Sequence, residues 1–263
     1  MKRLLTEEDF KILRAPLESG RQSPASLGGT LFLTVFMQAL MYYLIYYVAA
    51  ANSIYPNINE IKSTHFWLTL VLSVLAILYS IPYIYYKSQK IQYLLTILAG
   101  LNIGGASMYL GAIFIMGEND HATQQSLIQF TYTTLSIALL LFVVTFIRFY
   151  MLLKNGKYRE GSMRGILRGS LETKSYIPLA IVGSTGLGMI LQYLFRNGYF
   201  NSLETFTLII LPILIFYTMI FVLPEQLVIL YCKYRFKSFN FNERGYLYSS
   251  EEEKGESAEA RMS

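Results

Sequence analysis

Six runs of mostly apolar residues dominate this chain. Each matches the roughly 20 residues needed to cross about 30 Å of hydrocarbon as a helix. The runs are Thr30–Ala51, Phe66–Tyr86, Ile91–Met116, Leu127–Leu153, Tyr176–Phe195 and Thr205–Cys232. They are too long for strands and too apolar on all sides for surface helices. The fold class that follows is all-α: a polytopic membrane protein, a bundle of six transmembrane helices with short loops. The first run is full length and Tyr-rich, so it reads as a retained helix rather than a signal peptide.

Composition narrows the classes further. The 263 residues are 54% apolar and 15% charged, with mean hydropathy +0.39. A soluble domain carries about 25% charged residues. A disordered chain is excluded, and an ordinary soluble enzyme is argued against. The lone Cys232 excludes a disulfide scaffold.

Charge sets the expected orientation. Lys and Arg number five in residues 1–29, two at Lys87 and Lys90, seven from Arg148 to Lys174, and six from Lys233 onward. With six spans these twenty fall on one side, against Lys62 and Arg196 alone on the other. The positive-inside rule then places both termini in the cytoplasm and the protein in the cell membrane. Trp67 and Tyr193 fall near expected outer ends, and Tyr83, Tyr85, Tyr86, Tyr93, Tyr150, Tyr176 and Tyr231 near inner ends. Both ring types favour the headgroup zone.

Three parts result. Residues 1–29 form a cytoplasmic segment in which Thr6 and Asp9 suggest a capping box and Phe10, Leu13 and Leu17 an amphipathic surface helix. Residues 30–232 form the membrane domain. Residues 233–263 are a tail that turns small, polar and acidic from Ser249, where disorder is expected. The basic linker Lys154–Lys174 suits anionic lipid headgroups on the cytoplasmic face. It carries no phosphate-binding loop motif, and the chain holds no folded basic domain for nucleic acid.

Charges at membrane depth are candidates for function. Glu225, in Leu223-Pro224-Glu225-Gln226, is the one clear case. Pro224 lacks an N–H and frees a carbonyl one turn back, so Pro224, Glu225 and Gln226 form a candidate intramembrane polar site. The competing reading pairs Glu225 with a basic residue or a Tyr hydroxyl and makes it a packing element. Small residues at helical spacing mark packing seams: Gly100, Gly104, Ser107 and Gly111 in the third run, and Ala180, Ser184 and Gly188 in the fifth. Asn102 and Gln38 are candidates for hydrogen bonds across helices. No metal site and no cofactor is expected. Glu118, Asp120 and His121 read as a solvated outer turn.

Gly105-Ala106-Ser107 resembles the Gly-x-Ser nucleophile of rhomboid intramembrane proteases, which also have a six-helix core. That chemistry needs a His base on another helix. His65 and His121 are both expected near outer boundaries, so no enzyme is expected. The topology is similar to the six-helix permease subunit of export-type ABC transporters. It departs in the short Lys87–Lys90 turn and in the short segment from Arg196 to Glu204. Size and style resemble the small polytopic immunity and secretion-accessory proteins of Gram-positive bacteria. The expectation is a non-enzymatic accessory or immunity-type subunit, acting through helix-mediated binding of a membrane-protein partner or a second copy. The alternative is a small-solute or ion transporter using Glu225.

Overall fold

The computed structural model describes residues 5–118, 122–162 and 203–249. Five helices are long and apolar enough to cross a membrane and point to an integral membrane protein. They are α1 (Pro24–Ala49), α2 (Ile58–Leu78), α3 (Gln89–Met116), α4 (Gln124–Lys154) and α5 (Leu203–Arg235). Helix α5 answers to the sixth apolar run. The fifth run, Tyr176–Phe195, lies outside the described residues, with Ala180, Ser184, Gly188, Asp120 and His121.

Two helix starts differ from hydropathy alone. Helix α1 begins at Pro24, ahead of the apolar run. Ser23 Oγ accepts from the Ser26 N–H at 3.3 Å, and Pro24 occupies the first helical position. Both are start signals independent of hydropathy. Helix α2 begins at Ile58 rather than at Phe66 and ends at Leu78 rather than at Tyr86. Pro82 enforces the end, because the residue before a proline is driven out of the helical region. Ile81 is extended (φ −77°, ψ 127°), and Pro82–Lys87 starts a separate short helix. The polar first turns of α2 (Asn59, Glu60, Lys62, Ser63, Thr64) conceal its beginning from an apolar scan. His65 and Trp67 consequently lie well inside α2 instead of at its outer end.

Helix α3 is the axis of the bundle. Half of its most apolar stretch is buried, against 11–22% in the other four helices. Its small residues serve two neighbours. A Cβ on Gly104 would stand 3.1 Å from Met219 Cγ of α5, and one on Gly100 3.4 Å from Met219 Cε. A Cβ on Gly111 would face Ile45 of α1 at 3.9 Å. Helices α1 and α3 each contain a π-helical stretch, Leu44–Ala49 and Leu101–Ser107. In the first, the Ala50 N–H donates to the Ile45 carbonyl at 2.9 Å.

The basic end is closed by the segment before α1 and the segment after α5. Glu7–Arg14 is a 3-10 helix followed by the turn Ala15–Glu18. Thr6 N and Oγ1 both donate to Asp9 Oδ2, and Arg159 Nε reaches Asp9 Oδ1 at 2.7 Å. Phe10, Leu13 and Leu17 are buried with Tyr93 and Ile97 of α3, Phe149 and Leu153 of α4, and Phe239 and Phe241 after α5. Gln89 holds this last segment: its Nε2 donates to the Phe241 carbonyl and its Oε1 accepts from the Phe241 N–H at 2.9 Å. Gln92, also buried, donates to the carbonyls of Pro24 at 2.8 Å and Tyr79 at 3.2 Å. The second bond satisfies a carbonyl left open at the end of α2, and the first ties α3 to the start of α1.

Adjacent glycines of α1 give a sharp test of this packing. A Cβ on Gly28 would stand 2.9 Å from Tyr85 Cε1 and 3.3 Å from the Ser80 carbonyl oxygen, whereas Gly29 has nothing within 4 Å. Gly28→Ala should destabilise the protein by about 1–3 kcal/mol through overpacking. Gly29→Ala should stabilise it by up to about 1 kcal/mol through helix propensity. Thermal unfolding in detergent measures both, and equal shifts of one sign would contradict the packing of α1 on the Ser80–Tyr85 turn.

Candidate functional site

A polar cluster crosses the interior of the bundle where α1, α2 and α3 meet. Gln38 of α1, His65 and Thr69 of α2, and Asn102 and Ser107 of α3 are all buried. Tyr46, from the π-helical stretch of α1, completes the group. Asn102 Nδ2 donates to Gln38 Oε1 and to Thr69 Oγ1, each at 3.1 Å. His65 Nε2 lies 3.2 Å from Asn102 Oδ1 and 3.5 Å from Ser107 Oγ, and its Nδ1 lies 3.0 Å from the Tyr46 hydroxyl. The bond between Asn102 and Gln38 is the cross-helix contact expected of those two residues.

The π-helical stretch of α3 explains how one helix presents two groups to one ring. In an α-helix, residues five apart turn about 500° and point about 140° away from each other. The i→i+5 pattern of a π-helix brings such residues nearly into line. Asn102 and Ser107 are five apart and both reach His65. Gly104 and Gly105 lie between them and leave the backbone free of side-chain crowding.

Proton bookkeeping assigns the chemistry of this cluster. With the Asn102 amide nitrogen donating to Gln38 and Thr69, its oxygen faces His65 as an acceptor. His65 Nε2 then carries the proton, and Nδ1 accepts from the Tyr46 hydroxyl. A protonated Nε2 cannot take a proton from Ser107. The structure thus corrects the placement of His65 at an outer boundary: it is buried beside Ser107. The pair is nevertheless arranged as part of a hydrogen-bonded tie. Gln38 Nε2 is a buried donor without a partner among the described residues.

The other sequence candidates lie apart from this cluster. Pro212 and Pro224 are inside α5. Pro224 and Glu225 line a cavity of about 250 Å³ with Thr145 and Arg148 of α4. Glu225 and Arg148 thus line one cavity, and Gln226 is half-buried on the next position of the helix. Among the described residues, no group of three His, Cys, Asp or Glu side chains is placed to hold a metal ion.

A third space adjoins the polar cluster. An apolar cavity of about 450 Å³ opens between α1, α3 and α5. Its walls include Ile45, Val48 and Ala49 from the π-helical stretch of α1, Ser107 and Gly111 of α3, Pro212 of α5, and Glu118. Ser107 belongs to both places: it touches His65 and lines this cavity. Pockets of this size with apolar walls and few polar groups are typical binding sites.

Replacing Asn102 with Leu strands buried groups on α1 and α2 together, which should cost about 1–3 kcal/mol for each group left unsatisfied. Ser107→Ala removes only the longest contact and should cost no more than about 0.6 kcal/mol, the average for a side-chain bond within a membrane bundle. Unfolding in detergent, followed by circular dichroism, separates the two. A Ser107→Ala loss as large as that of Asn102→Leu would contradict the tie. No protein family, curated protein or solved structure matches this chain.

Proposed function

We propose that this chain is a non-enzymatic integral membrane protein, an accessory or immunity-type subunit that binds a partner through its membrane helices. The supporting observation is the apolar cavity between α1, α3 and α5. Gly111 and Ala49 leave the space, and apolar side chains of a partner helix fit its chemistry. The neighbouring polar groups engage one another, which favours a structural and recognition role for them over chemistry. The partner is another membrane protein or a second copy of the chain. The twenty-to-two distribution of Lys and Arg supports a cell-membrane location with both ends in the cytoplasm.

The test is site-directed photo-crosslinking from Val48 in native membranes, with the adduct identified by mass. A discrete protein adduct is expected, and Gly111→Leu, which fills the cavity, should abolish it while leaving the thermal transition in place. Adducts with lipid alone, or an adduct indifferent to Gly111→Leu, would refute the reading.

A second reading, transport of a small solute or ion, is favoured by the cavity that Glu225 shares with Arg148 and Thr145. Pro224 in the same wall removes one backbone donor from α5 and leaves a carbonyl near Ile220 to take part. If that cavity serves transport, Glu225→Gln removes the pH-dependent component of flux into proteoliposomes. Flux unchanged by the substitution, or absent from the parent protein, eliminates transport through Glu225.

A further inference from the structure

A cavity of about 660 Å³ at the basic end is walled by two short stretches of chain: the turn before α3 and the end of α5 with the residues after it. Five cationic side chains line it, Lys87 and Lys90 from the first stretch and Lys233, Arg235 and Lys237 from the second. No carboxylate is among its lining residues. Like charges gathered around one space repel unless an anion enters it.

The way these cations are held is unusual for lysines that only advertise topology. Lys233 is 2% exposed. Its Nζ donates to the Phe239 carbonyl at 3.0 Å and stands 5.4 Å and 5.6 Å from the ring centres of Tyr93 and Phe241. Lys90 lies over the ring of Tyr234 at 5.1 Å, and Lys87 donates to the Tyr83 hydroxyl at 2.9 Å. Arg235 stacks on Tyr231 and Phe236. Rings and carbonyls position a cation without cancelling its charge. Among the described residues, no ion pair neutralises Lys87, Lys90, Lys233 or Arg235. The amino end of α3 also opens here: Ser88 and Gln89 line the cavity, and the Ser88 side chain does not cap the helix.

We propose that this cavity binds an anion carrying two or more phosphate groups. Lys87, Lys90, Lys233 and Arg235, with Lys233 buried, exceed what a single phosphate needs, and the volume accommodates two. Such a ligand comes either from a lipid headgroup or from a soluble diphosphate. The site is distinct from the apolar cavity and stands whether or not that cavity receives a partner.

The experiment uses the full chain, purified in neutral detergent. Native mass spectrometry reads retention of a diphosphatidyl lipid (cardiolipin) against phosphatidylcholine, and titration calorimetry reads inorganic pyrophosphate. At about 1 kcal/mol per basic residue, each charge removed weakens binding roughly fivefold. Lys87→Gln combined with Lys90→Gln should thus weaken the bound probe roughly 25-fold, while Arg244→Gln, at an exposed basic residue after α5 and outside the cavity, should change it less than about twofold. Lys87 is exposed and Lys90 half-buried, and an unchanged thermal transition confirms that the double variant folds. Binding of cardiolipin alone assigns the site to lipid, and binding of pyrophosphate as well assigns it to phosphate as such; both support the proposal. It is overturned if neither probe binds, if phosphatidylcholine binds equally well, or if Arg244→Gln weakens binding as much as the double variant.

Discussion

Asn102 ties three helices together in a medium that offers no competing water. It donates to Gln38 of α1 and Thr69 of α2 and accepts from His65 of α2 while itself belonging to α3. In lipid the apolar faces of helices have little reason to prefer one another over hydrocarbon tails. Which helices meet, and in what register, then rests on small residues and on polar groups that must find partners. The α1–α2–α3 unit has both. Gln92 at the basic end and the Asn102 cluster nearer the other end fix the same helices at two heights.

This dependence explains which parts of the structure are legible in the sequence. Hydropathy marks the described spans because each is an unbroken response to one solvent. It misplaces α2 because the first turns of that helix are polar and its last expected turns lie beyond Pro82. The misplacement carries straight into chemistry, since it moves His65 from the bundle interior to an outer boundary. Two local signals stood against it: a proline preceded by an extended residue, and the left-handed Asn57 (φ +57°) opening the helix. The first is readable from the sequence; the second is a backbone conformation.

The cross-helix pairing of Asn102 with Gln38 is legible because an amide in a long apolar run has few other options. The rest of the cluster is not. Periodicity at 3.6 residues per turn puts Asn102 and Ser107 on different faces. Only the π-helical stretch gathers them, and a Gly-Gly pair permits such a stretch without announcing it. The Gly100–Gly111 stripe serves two neighbours: Gly100 and Gly104 approach Met219 of α5, and Gly111 approaches Ile45 of α1.

The two ends of the bundle divide the protein's polar chemistry by solvent. Away from the basic end, neutral side chains meet one another, because a net charge there would be costly. At the basic end, the segment after α5 and the Lys87–Lys90 turn hold cations on aromatic supports around one cavity. Glu225 sits between these regimes and shares its cavity with Arg148 rather than standing alone in hydrocarbon. Lys233, more than two turns further along α5, belongs instead to the cationic cavity.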